Sequence, residues 1–368
     1  MLRKLLIWIG LILLVLIIGA GGYVAFSPIP FEPQAWNPPR NPGLTGRAAA
    51  NTAMKERAVR FAPGLGKGPE DVTVQDGFAY TGLEDGRILK ISLDGKSAAL
   101  YANTGGRPLG LQFDSQGNLI VADSMRGLLS VSADGKVTVL TDSVGGKKMV
   151  FVDDLDIAAD GTIWFSDASQ RFGYRAYLLD FWEGSATGRL LSYNPATRET
   201  RVVVDGLRFA NGVAIAEDQS FVLVAETAAR RIRKHWLGGG KAGRTEILVD
   251  GLPGYPDNIS AAHGGIFWVA MPAIANDEFD ALQPTPFLRA VIFRLTMMGV
   301  LKSPVPPPRG WVVAIDANGN IVGSAMDPKG EVVHTVTSVN AFGGELFLGS
   351  NVADAIGRMP VPDLSSRK

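Results

Sequence analysis

One unit recurs six times along the chain: an apolar strand, an Asp- or Gly-bearing turn, and a second apolar strand ending in a small or acidic residue. The first copy runs from Asp71 through Asp76-Gly77 to Leu83, and the second from Leu109 through Asp114 to Asp123. The third runs from Asp154 through Asp160-Gly161 to Asp167, and the fourth from Gly212 through Glu217-Asp218 to Glu226. The fifth runs from Asn258 through Gly264-Gly265 to Ala270, and the sixth from Thr337 through Gly343-Gly344 to Gly349. Several copies continue into a third and a fourth strand, such as Arg87–Leu93 followed by Ala98–Tyr101. Four antiparallel strands per unit, at a period of roughly 40 to 80 residues, is the signature of a closed radial repeat. The chain is therefore expected to be all-β, a six-bladed β-propeller. A β-sandwich with long loops would leave six copies of one turn chemistry unexplained. The uneven spacing places insertions at residues 168–188 and 272–310.

In such a ring the first strand of each blade lines the central channel, so residues at its start meet around the axis. Glu70, Asp153, Asn211, Asp257 and Asn258 all stand at that register. Three carboxylates and two amides, with no His or Cys among them, are oxygen donors suited to calcium, which takes six to eight oxygens. Zinc would need imidazole or thiolate, and His235, His263 and His334 are scattered. A lone Asp beside a strand is ordinarily a turn cap, as Asp160 is expected to be. It is the coincidence across blades that argues for an ion. Asp71 and Asp154 alternate to the other side of their strands. They are expected either to hold a second, buried calcium or to accept backbone amides.

The N-terminus carries a different signal. Arg3 and Lys4 precede Leu5 to Phe26, a stretch without a charged residue. As a helix it would span roughly 33 Å, enough to cross a bilayer core. Basic residues before it favour a cytoplasmic N-terminus and an extracytoplasmic body, periplasmic, extracellular or lumenal. Ala20-Gly21-Gly22 supplies the small residues of a cleavable signal, but the apolar run is longer than such signals have. The expected organisation is a membrane anchor over 1–26, a Pro-rich stalk with one short helix over 27–60, and the propeller over 61–362. Lys+Arg and Asp+Glu both total 36, so no basic footprint argues for nucleic acid. Cysteine is absent, which removes disulfides and thiol catalysis.

Several stretches resemble the calcium-dependent six-bladed propellers: paraoxonases, gluconolactonase and regucalcin, and above all the membrane-anchored, strictosidine synthase-like branch. They include Gly68-Pro69-Glu70, Gly106-Arg107-Pro108-Leu109-Gly110, Arg208-Phe209-Ala210-Asn211-Gly212-Val213 and Pro253 to Ile259. The resemblance covers residues 61 to about 358. It implies a catalytic calcium on Glu70, Asp153, Asn211, Asp257 and Asn258. It also implies a structural one on Asp71, Asp154 and a carbonyl near Leu111. Relatives commonly carry Asn at position 153. Leu109 stands where paraoxonases have a His of their proton-transfer dyad, and Thr337 where strictosidine synthases have a catalytic Glu. The Pictet–Spengler condensation is thus poorly supported, and a His-dyad mechanism is not available to this chain.

What the resemblance leaves is hydrolysis of an ester or lactone, with Asp257 as acid/base beside the calcium, as in regucalcin-like members. The alternative is a membrane-tethered binding or scaffolding propeller with a purely structural ion, since fold alone does not imply activity. No Gly-x-Ser-x-Gly elbow is present. Gly64, Gly66 and Gly68 lack the strand and helix of a phosphate loop. Residues 168–188 bring Phe172, Tyr174, Tyr177, Phe181 and Trp182 as a substrate wall or as blade packing. Residues 286–303 read as an apolar helix, membrane-facing, lid-forming or simply packed. Oligomeric state is not written in the sequence.

Overall fold

The computed structural model of the chain describes residues 1–304 and 309–364. Residues 305–308, within the second expected insertion, lie outside it. Among the described residues the helices are α1 (Leu2–Phe26), α2 (Ala53–Arg57), α3 (Leu178–Glu183), α4 (Asp277–Leu282) and α5 (Pro286–Met297). The rest is mainly strand. The chain divides into two compact units, one of Met1–Pro38, Leu178–Ser185 and Asn276–Val305, the other of the remaining segments.

The larger unit is a six-bladed propeller of four-stranded antiparallel sheets. Blades 1 to 5 each run outward in chain order, opening with Val72–Gln75, Pro108–Phe113, Val152–Ile157, Ala210–Ile215 and Ile259–Ala262. Blade 6 runs Val336–Phe342, Glu345–Ser350, Ile356–Pro360, and takes its outer strand from Val59–Phe61. That strand pairs Val59 with Arg358 and Phe61 with Ile356, so the N-terminal side of the ring is hydrogen-bonded to the C-terminal side. The first strand of each blade touches those of both neighbours, and blade 6 meets blade 1, which closes the channel wall.

The alternation of apolar residues is what builds the ring. Each of the six seams between blades encloses its own cluster. Leu223, Phe267 and Trp311 fill the seam of blades 4 and 5, and Ile120, Phe165 and Leu191 that of blades 2 and 3. Phe61, Val72 and Phe347 fill the seam of blades 6 and 1. Because the inner part of each blade is covered on both faces, its second strand is nearly continuously apolar, as in Phe221–Glu226, whereas outer strands such as Thr245–Asp250 are largely exposed. Turns such as Asp76-Gly77 take positive φ at both residues.

In the smaller unit, α1 leads into an extended segment that is clamped rather than free. The amide of Gln34 donates to the Glu183 carbonyl at 2.7 Å, and the Trp36 indole to Gln283 Oε1 at 2.8 Å. Phe31 stands edge-on to Phe293, and Trp182 packs on Phe279 and Phe293. Of the prolines expected to stiffen a stalk, Pro28, Pro30, Pro33 and Pro38 belong to this helical unit, and Pro39 and Pro42 to the propeller unit. α1 itself has no buried residue in its most apolar window and is a candidate membrane span.

Candidate metal centre at the channel mouth

Glu70 and Asp71 lie just before the inner strand of blade 1, Asp153 and Asp154 near the start of that of blade 3. Asn211 is the second residue of the blade 4 strand, and Asp257 and Asn258 precede that of blade 5. Four blades thus deliver these residues at the same end of the channel. Two close approaches make this possible. A Cβ on Gly212 would overlap the Asp257 carbonyl and the Ile259 amide, and one on Gly349 would overlap the Glu70 carbonyl. Backbone bonds then set the heights of the side chains. The Asp257 amide donates to Ala270 O at 2.9 Å and the Asn258 amide to Thr337 O at 3.0 Å.

The sequence-predicted set is brought together, with four members buried and Asp257 half-buried. Glu70 is 3%, Asp153 4%, Asn211 4% and Asn258 4% exposed. Asn258 Nδ2 lies 3.5 Å from Glu70 Oε1, and the Asn211 side chain is hydrogen-bonded to Asp257. Burial, then the charges of Asp257 and Asp71, hold the Glu70 carboxyl well above the usual range. Burial, then Asp257 and Glu70, do the same to Asp153. Burial pushes Asp257 up to about 7, against hydrogen bonds from Asn211 and the Asn258 amide. These shifts say that one more positive charge would be welcome there.

Glu70 Oε2, Asn211 Oδ1 and Asn258 Oδ1 are buried with no hydrogen-bond partner. An orphaned buried oxygen costs on the order of 1–3 kcal/mol. Three converging at one site fit a hard cation, for which each supplies an acceptor and no donor. Among the described residues no three His, Cys, Asp or Glu side chains form a ready-made cage. Glu70, Asp153 and Asp257 alone therefore do not enclose an ion, and the site depends on the amide oxygens of Asn211 and Asn258 as well.

Asp71 and Asp154 occupy different ground. With Asp156, Asn258 and Asn340 they line a channel cavity of about 180 Å³. Asp71 accepts the Leu111 amide at 2.9 Å and Asn340 Nδ2 at 2.8 Å, and Asp154 accepts the Val213 amide at 2.8 Å. Leu111 thus faces Asp71 with an N–H donor, whereas the resemblance implied a carbonyl ligand near it. Burial first, then its neighbour Asp71, still raises Asp154 well above its usual range. Asp156, raised to about 6 by burial, was not singled out from the sequence, although its i+2 spacing from Asp154 puts it on the same side.

Arg107 is the other side chain that sequence reasoning missed. Its guanidinium is fully buried, donates to Gly68 O at 2.9 Å and lies over the Tyr174 ring at 5.3 Å. Its charge lowers both Glu70 and Asp153, making it the site's own counter-charge. It sat in plain view in Gly106-Arg107-Pro108, but nothing in spacing says where a long side chain ends. Tyr174 and Tyr177 stack at 6.4 Å, and both stand edge-on to Phe151. Phe209 joins them from a left-handed backbone, φ 59°, immediately before Ala210-Asn211. Tyr177 feels the charges of Asp257 and Asp153, so this aromatic group borders the site. Of the residues expected in that wall, Phe172 is buried and Trp182 belongs to the helical unit. Thr337 is at the mouth, donating to Glu70 O at 3.0 Å, while Leu109 is buried.

Comparison with known proteins gives this geometry a setting. A family model described as strictosidine synthase matches residues 153–240, and one described as strictosidine synthase-like, N-terminal, matches residues 46–91. The adipocyte plasma membrane-associated protein of Salmo salar is 36% identical over 344 residues, covering 87% of this chain and 82% of that protein. Strictosidine synthase-like protein 6 of Arabidopsis thaliana is 33% identical over 334 residues, covering 87% and 88%. Among solved structures, a gluconolactonase from Xanthomonas campestris superposes with TM-score 0.62 at 18% identity, over 92% of this chain and 99% of that one. A calcium-binding regucalcin from Agrobacterium tumefaciens gives 0.57 at 14%, over 82% and 93%. At those identities the solved structures speak for the fold.

Proposed function

The chain belongs to the strictosidine synthase-like family, and from that premise we propose that it is a membrane-anchored, calcium-dependent hydrolase of an ester or lactone. The observation that carries the reading is the trio of partnerless buried oxygens on Glu70, Asn211 and Asn258 beside Asp153 and Asp257. Calcium-binding and gluconolactonase propellers among the structural neighbours support it. Glu70, Asp153, Asn211, Asp257 and Asn258 would hold the ion. Bound there, calcium would supply electrophilic polarisation of the acyl carbonyl.

The chain's own residues account for the rest. Asp257 takes a proton from water as the water oxygen bonds to the acyl carbon. It returns that proton to the leaving oxygen as the acyl C–O bond breaks. A carboxyl held near 7 by burial suits both directions, and an adjacent cation moves it toward the base form. Asn211 orients Asp257 through their hydrogen bond. Phe151, Tyr174, Tyr177 and Phe209 offer an apolar border that favours an aryl or alkyl acyl group over a sugar. Position 337 offers a hydroxyl already engaged with Glu70, so the condensation chemistry of strictosidine synthase forms no part of the proposal. The N-terminus is proposed to face the cytoplasm, with the propeller on the opposite side.

The test is metal analysis of the purified full chain, then turnover of aryl esters and lactones with and without chelator. About one calcium per chain and chelator-sensitive turnover are expected. Asp257→Asn should lower kcat by about a hundredfold or more, the ordinary contribution of a positioned acid/base. A chain that binds calcium, folds, and turns over none of these substrates would leave the scaffolding reading in its place.

A further inference from the structure

The insertion that carries α5 has two faces of opposite character. Arg289, Ala290 and Phe293 turn inward and are buried, with Phe293 against Phe31 and Trp182. Phe287 is 60%, Met297 70% and Val300 63% exposed, and Leu288, Met298 and Leu301 are exposed beside them. From Pro286 to Leu301 there is no acidic residue, and Lys302 follows directly. So many large apolar side chains on one short segment need a covering.

The location of the segment says what covers it. α5 is fixed to the last turn of α1: the Phe26 and Phe287 rings lie 6.1 Å apart, and Arg294 Nε donates to Ser27 O at 2.8 Å. α1 is a candidate span whose apolar side chains are exposed along its length. A helix pinned to the end of such a span lies within about one helix diameter, roughly 10 Å, of the hydrocarbon edge. That is the depth at which an amphipathic helix settles into the headgroup and acyl boundary. Arg289 and Arg294 are turned inward onto carbonyls, which frees the outer face of charge. Lys302 is long enough to bury its stem and keep its ammonium among headgroups.

We propose that α5 and the turn after it form a second membrane contact, lying in the bilayer surface beside the foot of α1 with Phe287, Leu288, Met297, Met298 and Val300 in lipid. The anchor would then be a span plus a paddle, which restrains tilt and rotation of the helical unit relative to the bilayer. The inference rests on α1 crossing the membrane and is independent of the hydrolase reading.

The chain contains no cysteine, so a single introduced thiol reports one position. Phe287→Cys, Val300→Cys, Leu14→Cys and Val139→Cys full-length chains, each carrying an environment-sensitive fluorophore, would be reconstituted into phosphatidylcholine vesicles. Spin-labelled lipids then quench what touches the membrane. Labels at 287 and 300 should be quenched at least about twofold, more by a nitroxide near the headgroup than by one at the chain end. The label at Leu14 should show the reverse depth order, and that at Val139, exposed on a blade, should stay bright. Unquenched labels at 287 and 300 with a quenched Leu14 would overturn the proposal. A label at 287 that is shielded yet insensitive to lipid quencher would also do so, pointing to a protein covering such as a second copy. An unquenched Leu14 removes the anchor and the paddle together, and a Val139 quenched equally reduces the signal to adsorption.

Discussion

Asn211 shows how much one side chain does at the channel mouth. Its amide is hydrogen-bonded to Asp257 while its Oδ1 is left without a partner, so it both orients the carboxyl and offers a ligand. Asn211→Ala is expected to weaken calcium binding by about tenfold or more, read by titration against a fluorescent chelator, with little change in thermal stability of the chelated protein. Arg107 acts in the opposite sense. Its buried charge offsets part of the field of Glu70 and Asp153, so Arg107→Met should tighten calcium several-fold while lowering the melting temperature of the chelated protein. Weaker calcium in that variant would show that Arg107 organises the ligands rather than balancing their charge. The acidic and amide residues were legible because they repeat at one register. Arg107 was not, since it stands once, in one blade, and reaches the others only through its length.

At the scale of elements, the strands follow from alternation and from Asp-Gly turns, and the insertions from the gaps between repeats. Ring closure does not follow from either. Val59–Phe61 is three residues long and precedes the first repeat, yet it completes blade 6. Phe61 is 5% exposed, edge-on to Phe347 at 5.8 Å and under the Arg358 guanidinium. Phe61→Ala should cost about 3–5 kcal/mol, measured as a shifted denaturant midpoint, because it opens a cavity where the ring is sealed. A loss below about 1 kcal/mol would mean that blade 6 closes without this strand. The packed segment around Gln34 and Trp36 is a similar case. Proline content predicts extended chain but is silent on what the chain lies against.

For the molecule as a whole, the channel gathers acidic groups whose ionised forms are costly and only partly offset by Arg107. Glu70, Asp71, Asp153, Asp154, Asp156 and Asp257 are all raised, first by burial. In the unfolded chain these carboxyls ionise near 4. Each group therefore stabilises the fold fully only below that point. Its contribution falls as pH climbs through the window between about 4 and the folded value, about 6 for Asp156 and about 7 for Asp257. The chelated protein should melt at a lower temperature at pH 8 than at pH 5, and calcium should raise the melting temperature more at pH 8. Differential scanning calorimetry at both pH values checks this. Equal calcium shifts at the two pH values would mean that the ion binds without drawing on these carboxyls.

The six-bladed architecture was legible in the sequence, and so was the shared register of the oxygen-bearing residues, because both are periodic and a repeat fold turns equal sequence positions into equal spatial ones. It also marked α1, because twenty-two uncharged residues suit a bilayer core. The remaining features come from packing between distant segments. Which oxygens are left without partners, where the Arg107 charge comes to lie, that Asp71 and Asp154 take amide donors, and that α5 is pinned to the foot of α1 all depend on contacts between distant segments. No local pattern encodes such contacts. They arise when the blades close and each buried polar atom either finds a partner or does not.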